Sequence, residues 1–359
     1  MTKLAQPTGA PTRLDRIRAN YFSSIGSSIV TVVCLYLTVR LGWALFDWAI
    51  LNAQFSADQG IDGCRAVSGA CWAVIDARSR LIFFGLYPQE EHWRSAVACV
   101  AIVAVGVLSC IPFFWSAKRL TALWGIGFGT FYILMRGGMF GLTDVLETEW
   151  GGLALTLFIF SSVCIIGMPL AIVFALLRRS KLPVIAGTMS ALIDGIRSLP
   201  LLAIMFTAAL VLPFVLPSWL QGDKLYRVIF GFALFFACYQ AEIIRGGMQA
   251  IPAGQEEAAK ALGLNYFHRI SRIVLPQAFR ASLPPTISQF VVTFKDTSLV
   301  TIVGFFDVLA SGNAAFSSGQ WISTYVEVYF FVALIYFTFV FSLARYGVFL
   351  EKHLRVGRN

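Results

Sequence analysis

Eight long apolar stretches make up most of the chain, at about residues 25–51, 94–116, 120–139, 152–177, 183–217, 226–250, 281–310 and 322–350. Nothing else in the sequence constrains the fold as strongly. A helix needs about 20 mostly apolar residues to cross a hydrocarbon core of about 30 Å, and every stretch reaches that length. Charged residues are 13% of the total, against about 25% in a soluble domain. The expected fold class is an all-α integral membrane protein with about eight transmembrane helices in a lipid bilayer.

The formal net charge of +9 would suggest nucleic acid in a soluble protein. Here the positive residues lie between apolar spans and read as topology determinants, so no nucleic-acid partner is expected. Lys and Arg in short loops stay cytoplasmic. The N-terminus (Lys3, Arg13, Arg16, Arg18), Lys118-Arg119, Arg178-Arg179-Ser180-Lys181, the 251–280 loop and the tail with Lys352, Arg355 and Arg358 all fall on one side. The loop with Asp144, Glu147 and Glu149 has no basic residue, and the one at 311–321 has no charge. This places both termini in the cytoplasm. The first apolar stretch is too long for a signal-peptide core and is read as a retained span.

Within the 52–93 loop, Trp72–Leu86 is interrupted by Asp76, Arg78 and Arg80, which suits an interfacial helix better than a span. Cys64 and Cys71 share this loop and are either free thiols or, in an oxidising compartment, a disulfide. The other five cysteines sit singly in apolar segments and read as small buried hydrophobes. The 183–217 stretch is over-long and carries Asp194, Arg197, Pro200 and Pro213. A tilted or broken helix is expected there. Trp93, Trp150, Trp219 and Trp321 lie near span ends and suit interfacial belts.

One polar segment has its own architecture: Gly254-Gln255-Glu256-Glu257-Ala258-Ala259-Lys260-Ala261-Leu262-Gly263-Leu264, followed by Ile273-Val274-Leu275-Pro276. A short helix is predicted. Glu256 and Glu257 fall in its first turn, favoured by the helix dipole, and Glu256 and Lys260 are spaced for an i,i+4 pair. Gly263 stands where a left-handed residue would close the helix, with Leu264 folding back on it. Two turns are not stable alone in water, so the helix is held either by its own subunit or by a cleft in another protein that grips its alanines.

The spacing of Glu257, Ala258, Ala259, Gly263, Ile273, Leu275 and Pro276 resembles the coupling loop of type I ATP-binding-cassette importers. Arg197-Ser198-Leu199-Pro200-Leu201-Leu202, Glu242-Ile243-Ile244-Arg245-Gly246-Gly247 and Lys295-Asp296-Thr297-Ser298-Leu299 resemble stretches of polar amino-acid permeases. The resemblance covers residues 152–359, the five-helix permease core, with the coupling loop near 251–280. Residues 1–151, with three further spans and a periplasmic loop, are similar to the longer M-type subunits of general L-amino-acid and glutamate/aspartate importers. Ser198-Leu199 departs from the family's usual Arg-Gly-Thr-Pro turn.

The resemblance implies a permease subunit in the cell inner membrane, working in an ATP-driven importer of polar L-amino acids. Its implied partners are a cytoplasmic ATPase dimer, a second permease subunit (most simply a heterodimer) and a periplasmic amino-acid-binding protein. No Gly-Lys pair occurs, so the chain lacks a phosphate-binding loop. No cofactor is expected in it; ATP and Mg²⁺ belong to the partner ATPase. The three histidines, His92, His268 and His353, form no ligand-like pattern, and enzyme activity is not expected. The alternatives are an ion-coupled secondary transporter or channel, or a membrane scaffold. No matching pair of repeats supports the former.

Ionisable residues inside spans are costly and mark functional sites. Glu242, Lys295 and Asp296 are the deepest, and a zwitterionic amino acid needs both a cation and an anion. With the hydroxyls of Thr297 and Ser298 they form a candidate substrate pathway; holding a helix break or a subunit interface is the other use for such groups. Arg245 is expected to snorkel to the membrane surface. The identity of the carried amino acid, a homodimer versus a heterodimer, and the role of the three N-terminal spans are not encoded legibly.

Overall fold

The structure, a computed structural model, describes residues 12–317 and 319–356. Lys3, Arg358 and the side chain of Arg355, invoked above for topology, lie outside the described residues. Helices dominate; among the described residues the only β features are two isolated bridges, Gln54 with Cys71 and Gly152 with Asp307. The chain forms two compact units, ending and beginning at Ala77 and Arg78.

The first unit carries the apolar helix Ile25–Phe46, prolonged by a π turn to Leu51. Ser24 caps it by accepting from the backbone N–H of Ser27. None of its residues from Ile25 to Phe46 is buried, as suits a helix whose surroundings are lipid. The following segment folds back on itself: Trp72 donates to the carbonyl of Ala49 at 2.7 Å, and Cys64 and Cys71 form a disulfide. The stretch predicted to be an interfacial helix is helical over Ala73–Phe84.

In the second unit the Gly152–Arg178 and Lys224–Gln249 helices pack along most of their length. Among the described residues five helices are long and apolar enough to span, and a sixth span arises if the bent pair Pro183–Arg197 and Leu201–Val215 is one crossing. That pair turns by 102° at Ser198-Leu199-Pro200, where proline ends the hydrogen-bond ladder. The expected break is therefore present. Two further expected spans are also helical: Ala117–Arg136, packed on His92–Ser109, and Leu283–Asp296, continued by a 3-10 segment to Thr301. With these the count returns to about eight.

Two local expectations are corrected. The uncharged 311–321 segment is not a loop but is largely the Val308–Ser317 helix and the 3-10 segment that begins at Gly319. Its small residues pack inward, with Ser311 and Ala315 fully buried. Trp150 and Trp321 are not belt residues; they are 1% and 3% exposed. Trp150 lies edge-on to Phe158 in the core. The acidic 144–149 loop is compensated from the preceding helix, where Arg136 pairs with Asp144 at 3.0 Å and with Glu147 at 2.5 Å. Glu147 also accepts from Tyr226 at 2.7 Å, fastening the 92–136 helix pair to the Lys224–Gln249 helix.

Small residues set the packing around the polar loop. Ala171, Ala175, Ala237, Ala241 and Ala278 are fully buried in one cluster with Ile193, Ile244, Ile270 and Val274. Such residues let helix backbones approach closely inside a membrane. Gly247 is the limiting case: a Cβ there would stand 2.4 Å from the carbonyl oxygen of Ala278.

Candidate functional site

The polar loop is helical over Ala253–Ala261. Gly263 adopts φ +75°, its N–H bonds to the carbonyl of Lys260 at 3.0 Å, and the Leu264 N–H reaches the carbonyl of Ala259 at 3.1 Å. These two bonds are a Schellman closure, which a residue with a Cβ adopts only with strain. The next turn, Tyr266–Arg269, is capped by Asn265, whose side chain accepts from the His268 N–H at 2.9 Å. A π turn over Ile270–Val274 follows, in which the Leu275 N–H bonds five residues back to Ile270. Pro276, which has no N–H, then opens the Leu275–Ala281 helix.

Several details differ from expectation. Glu256 alone is the acidic residue of the first turn. It pairs not with Lys260 but with Arg179, at the end of the Gly152–Arg178 helix. The alanines do not present one outward face: Ala259 is 2% exposed and held by its own subunit. Glu257 and Ala258 do face outward. Beside them stand two apolar side chains that the sequence reading passed over, Leu262 at 81% and Phe267 at 73% exposure. Large apolar groups at the tip of a polar loop were the available signal. Ile273 and Leu275 are half-buried and Pro276 is exposed.

Behind the loop lies a charge cluster. Arg178 makes two bonds of 3.0 Å to Asp194 and approaches Glu242 at 3.1 Å. Arg245 holds Glu242 through three bonds of 2.8–3.1 Å, and Arg197 stands 3.8 Å from Asp194 and 3.9 Å from Glu242. Glu242 is thus shared by three guanidiniums, and Arg245, itself about a third exposed, lines the cavity beside the loop as well. Arg178, read only as a topology marker, is the link between the bent pair and the Lys224–Gln249 helix.

Glu242 is remote from Lys295. Gln240 donates to Thr286 at 2.9 Å and the Phe236 ring lies tilted against Phe290, 5.7 Å between centres, so the two helices run antiparallel. Counting from these contacts, Glu242 and Lys295 differ by roughly 16 Å in level at 1.5 Å per residue. Lys295 instead lines a cavity of about 350 Å³ with Ser298, Leu309, Tyr329, Val332, Ala333 and Tyr336. It makes no ion pair among the described residues. Asp296 is half-buried. Thr297 is fully buried and donates to the carbonyl of Phe294 at 2.7 Å, while Ser298 donates to that of Lys295 at 2.8 Å. No group of three His, Cys, Asp or Glu that could hold a metal occurs among the described residues.

Residues 167–356 match the family described as binding-protein-dependent transport system inner membrane component. The chain belongs to that family. It is a multi-pass permease, and the loop, the charge cluster and the Lys295 cavity all fall within the matched residues. It is 38% identical over 349 residues to the inner membrane amino-acid ABC transporter permease protein YhdY of Escherichia coli K12, covering 96% of this chain and 93% of that one. To the glutamate/glutamine/aspartate/asparagine transport system permease protein BztC of Rhodobacter capsulatus it is 32% identical, covering 99% and 97%. The permease also resembles the crystal structure of an amino acid ABC transporter with histidines, at 28% identity and a TM-score of 0.50. That match covers 56% of this chain and 92% of the solved one. Both long relatives are thus matched over nearly the whole of this chain, its N-terminal spans included, whereas the solved chain matches little more than half of it.

Proposed function

We propose that this permease carries polar L-amino acids inward, driven by an ATPase dimer in separate subunits that bind the ATP and Mg²⁺. The observation that carries the proposal is the polar loop: its Ala253–Ala261 helix, anchored by buried Ala259 and by Arg179, turns Glu257 and Ala258 outward, and Leu262 at its end and Phe267 in the following turn are exposed beside them. A short helix flanked by an exposed apolar pair suits a groove in a partner. Closure of that partner would pull on Glu256 and Arg179 and so on the spans, a rigid-body gating motion. Half-buried Ile273 and Leu275 seat the far end of the loop against the core, and exposed Pro276 opens the helix that follows. The loop and both termini then lie in the cytoplasm, and residues 152–359 form the working core.

The amino-acid class rests on the names of the relatives and on Lys295. Lys295 is exposed at the edge of the cavity and makes no ion pair among the described residues, and an ammonium left so within a membrane is costly; a substrate carboxylate arriving in the cavity would supply a counter-charge. Ser298 and Tyr336 add hydroxyls, and Asp296 stands beside Lys295 for an ammonium group. Thr297 supports the helix break from within, and Glu242 holds the spans together. A second permease, as a heterodimer, completes the pore, and a periplasmic binding protein delivers the substrate.

A mild-detergent pull-down of the tagged chain, with ATPase assay of the eluate, tests this. An ATPase and a second permease are expected with the parent, and the ATPase should be lost with Leu262→Asp/Phe267→Asp while the second permease stays. Uptake of labelled amino acid by membranes from which no ATPase co-purifies would instead establish an ion-coupled transporter.

A further inference from the structure

A cavity of about 1040 Å³ opens between the end of the Gly152–Arg178 helix and the Ala253–Ala261 helix. Six cations line it: Arg178, Arg179, Lys181, Arg245, Lys260 and Arg269. Only two carboxylates do, Glu256 and Glu257. Part of this charge is neutralised, since Arg179 is taken by Glu256, and Arg178 and Arg245 by Glu242 and Asp194. Lys181, Lys260 and Arg269 remain without an ion pair among the described residues. Arg269 further has its Nε shielded from solvent with no hydrogen-bond partner. Its guanidinium lies 6.0 Å from the centre of the Tyr266 ring, which is also in the cavity wall.

We propose that this cavity is a binding site for a phosphate-bearing anion, held by Lys181, Lys260 and Arg269. A guanidinium and two ammoniums facing one space match a phosphate group, which accepts several charge-assisted hydrogen bonds at once. The site lies at the end of a spanning helix, the level at which lipid headgroups sit, and there each cation adds to the attraction for anionic lipid. The bound anion would bridge Lys181, on the loop leaving the spanning helix, to Lys260, on the loop helix. It would thereby strengthen the tie that Arg179 and Glu256 make alone. A lipid headgroup and a free phosphate offer the same chemistry. The site does not depend on the coupling role of the loop, because its test reads binding and not transport.

The test is lipid retention by the full-length chain, purified with whatever subunits accompany it, in nanodiscs of phosphatidylcholine with phosphatidylglycerol, read by native mass spectrometry. The parent should retain phosphatidylglycerol in preference, and Lys181→Ala/Lys260→Ala/Arg269→Ala should lower that preference roughly a hundredfold, about fivefold for each cation. Lys181→Gln alone, at an exposed position, should lower it about fivefold even if the triple variant fails to fold. Retention that millimolar inorganic phosphate leaves intact assigns the site to a lipid. Displacement by phosphate, or saturable binding of phosphate in detergent, assigns it to the free anion. Equal retention of both lipids with no phosphate binding, or parental retention by Lys181→Gln, would overturn the site.

Discussion

Arg179 closes on Glu256, joining the last turn of a membrane-spanning helix to the first turn of the loop helix. Both side chains are about a third exposed, and such pairs contribute little to stability, about 1 kcal/mol or less. Their value is directional. Arg179→Glu should therefore leave the thermal midpoint nearly unchanged while reducing substrate-stimulated ATP hydrolysis. The swap Arg179→Glu/Glu256→Arg should recover most of it; a swap as inactive as the single variant would remove this pair from the coupling path.

Gly263 holds φ +75° with open space around its Cα, so backbone conformation alone decides what is tolerated. Gly263→Val should weaken the Schellman closure by about 1–2 kcal/mol and depress uptake. Gly263→Asn, which visits the left-handed region more readily, should retain most of it. Equal uptake by the two variants would show that the closure does not matter for transport.

Gly247 meets the carbonyl of Ala278 where any Cβ would overlap it. Backbone cannot step aside as a side-chain tip can. Gly247→Ala should destabilise the protein by about 1–3 kcal/mol, seen as a lower thermal midpoint in detergent. Gly246→Ala, whose Cβ would meet nothing within 4 Å, is the control and should be near neutral.

Glu242 and Lys295 should separate cleanly in experiment. Glu242→Ala strips three guanidiniums of their shared carboxylate, and breaking a largely buried pair costs about 3–5 kcal/mol, so yield and thermal midpoint should fall. Lys295→Met removes an ammonium with no partner of its own. It should leave the midpoint in place and raise the KM for uptake. Unchanged transport kinetics with Lys295→Met would return Lys295 to a purely structural role.

Much of this permease is legible from local chemistry. Apolar length announces the spans, because a bilayer leaves a chain few ways to satisfy its backbone. Pro200, with no N–H to donate, stands at the break between its two helices, and the Glu257–Pro276 spacing carries the family resemblance. Gly263 reads correctly because a left-handed helix end is a one-residue property.

Tertiary structure alone decided the partners of the charges and the faces of the helices. Glu256 has Lys260 one turn away, yet Arg179, distant in sequence, holds it. Glu242 and Lys295 both read as deep charges, yet one is enclosed by arginines and the other opens on a cavity. Trp150 and Trp321 look like belt residues and are buried. Ion pairs and burial depend on which helices are neighbours and on their relative height, and periodicity within one helix carries neither quantity.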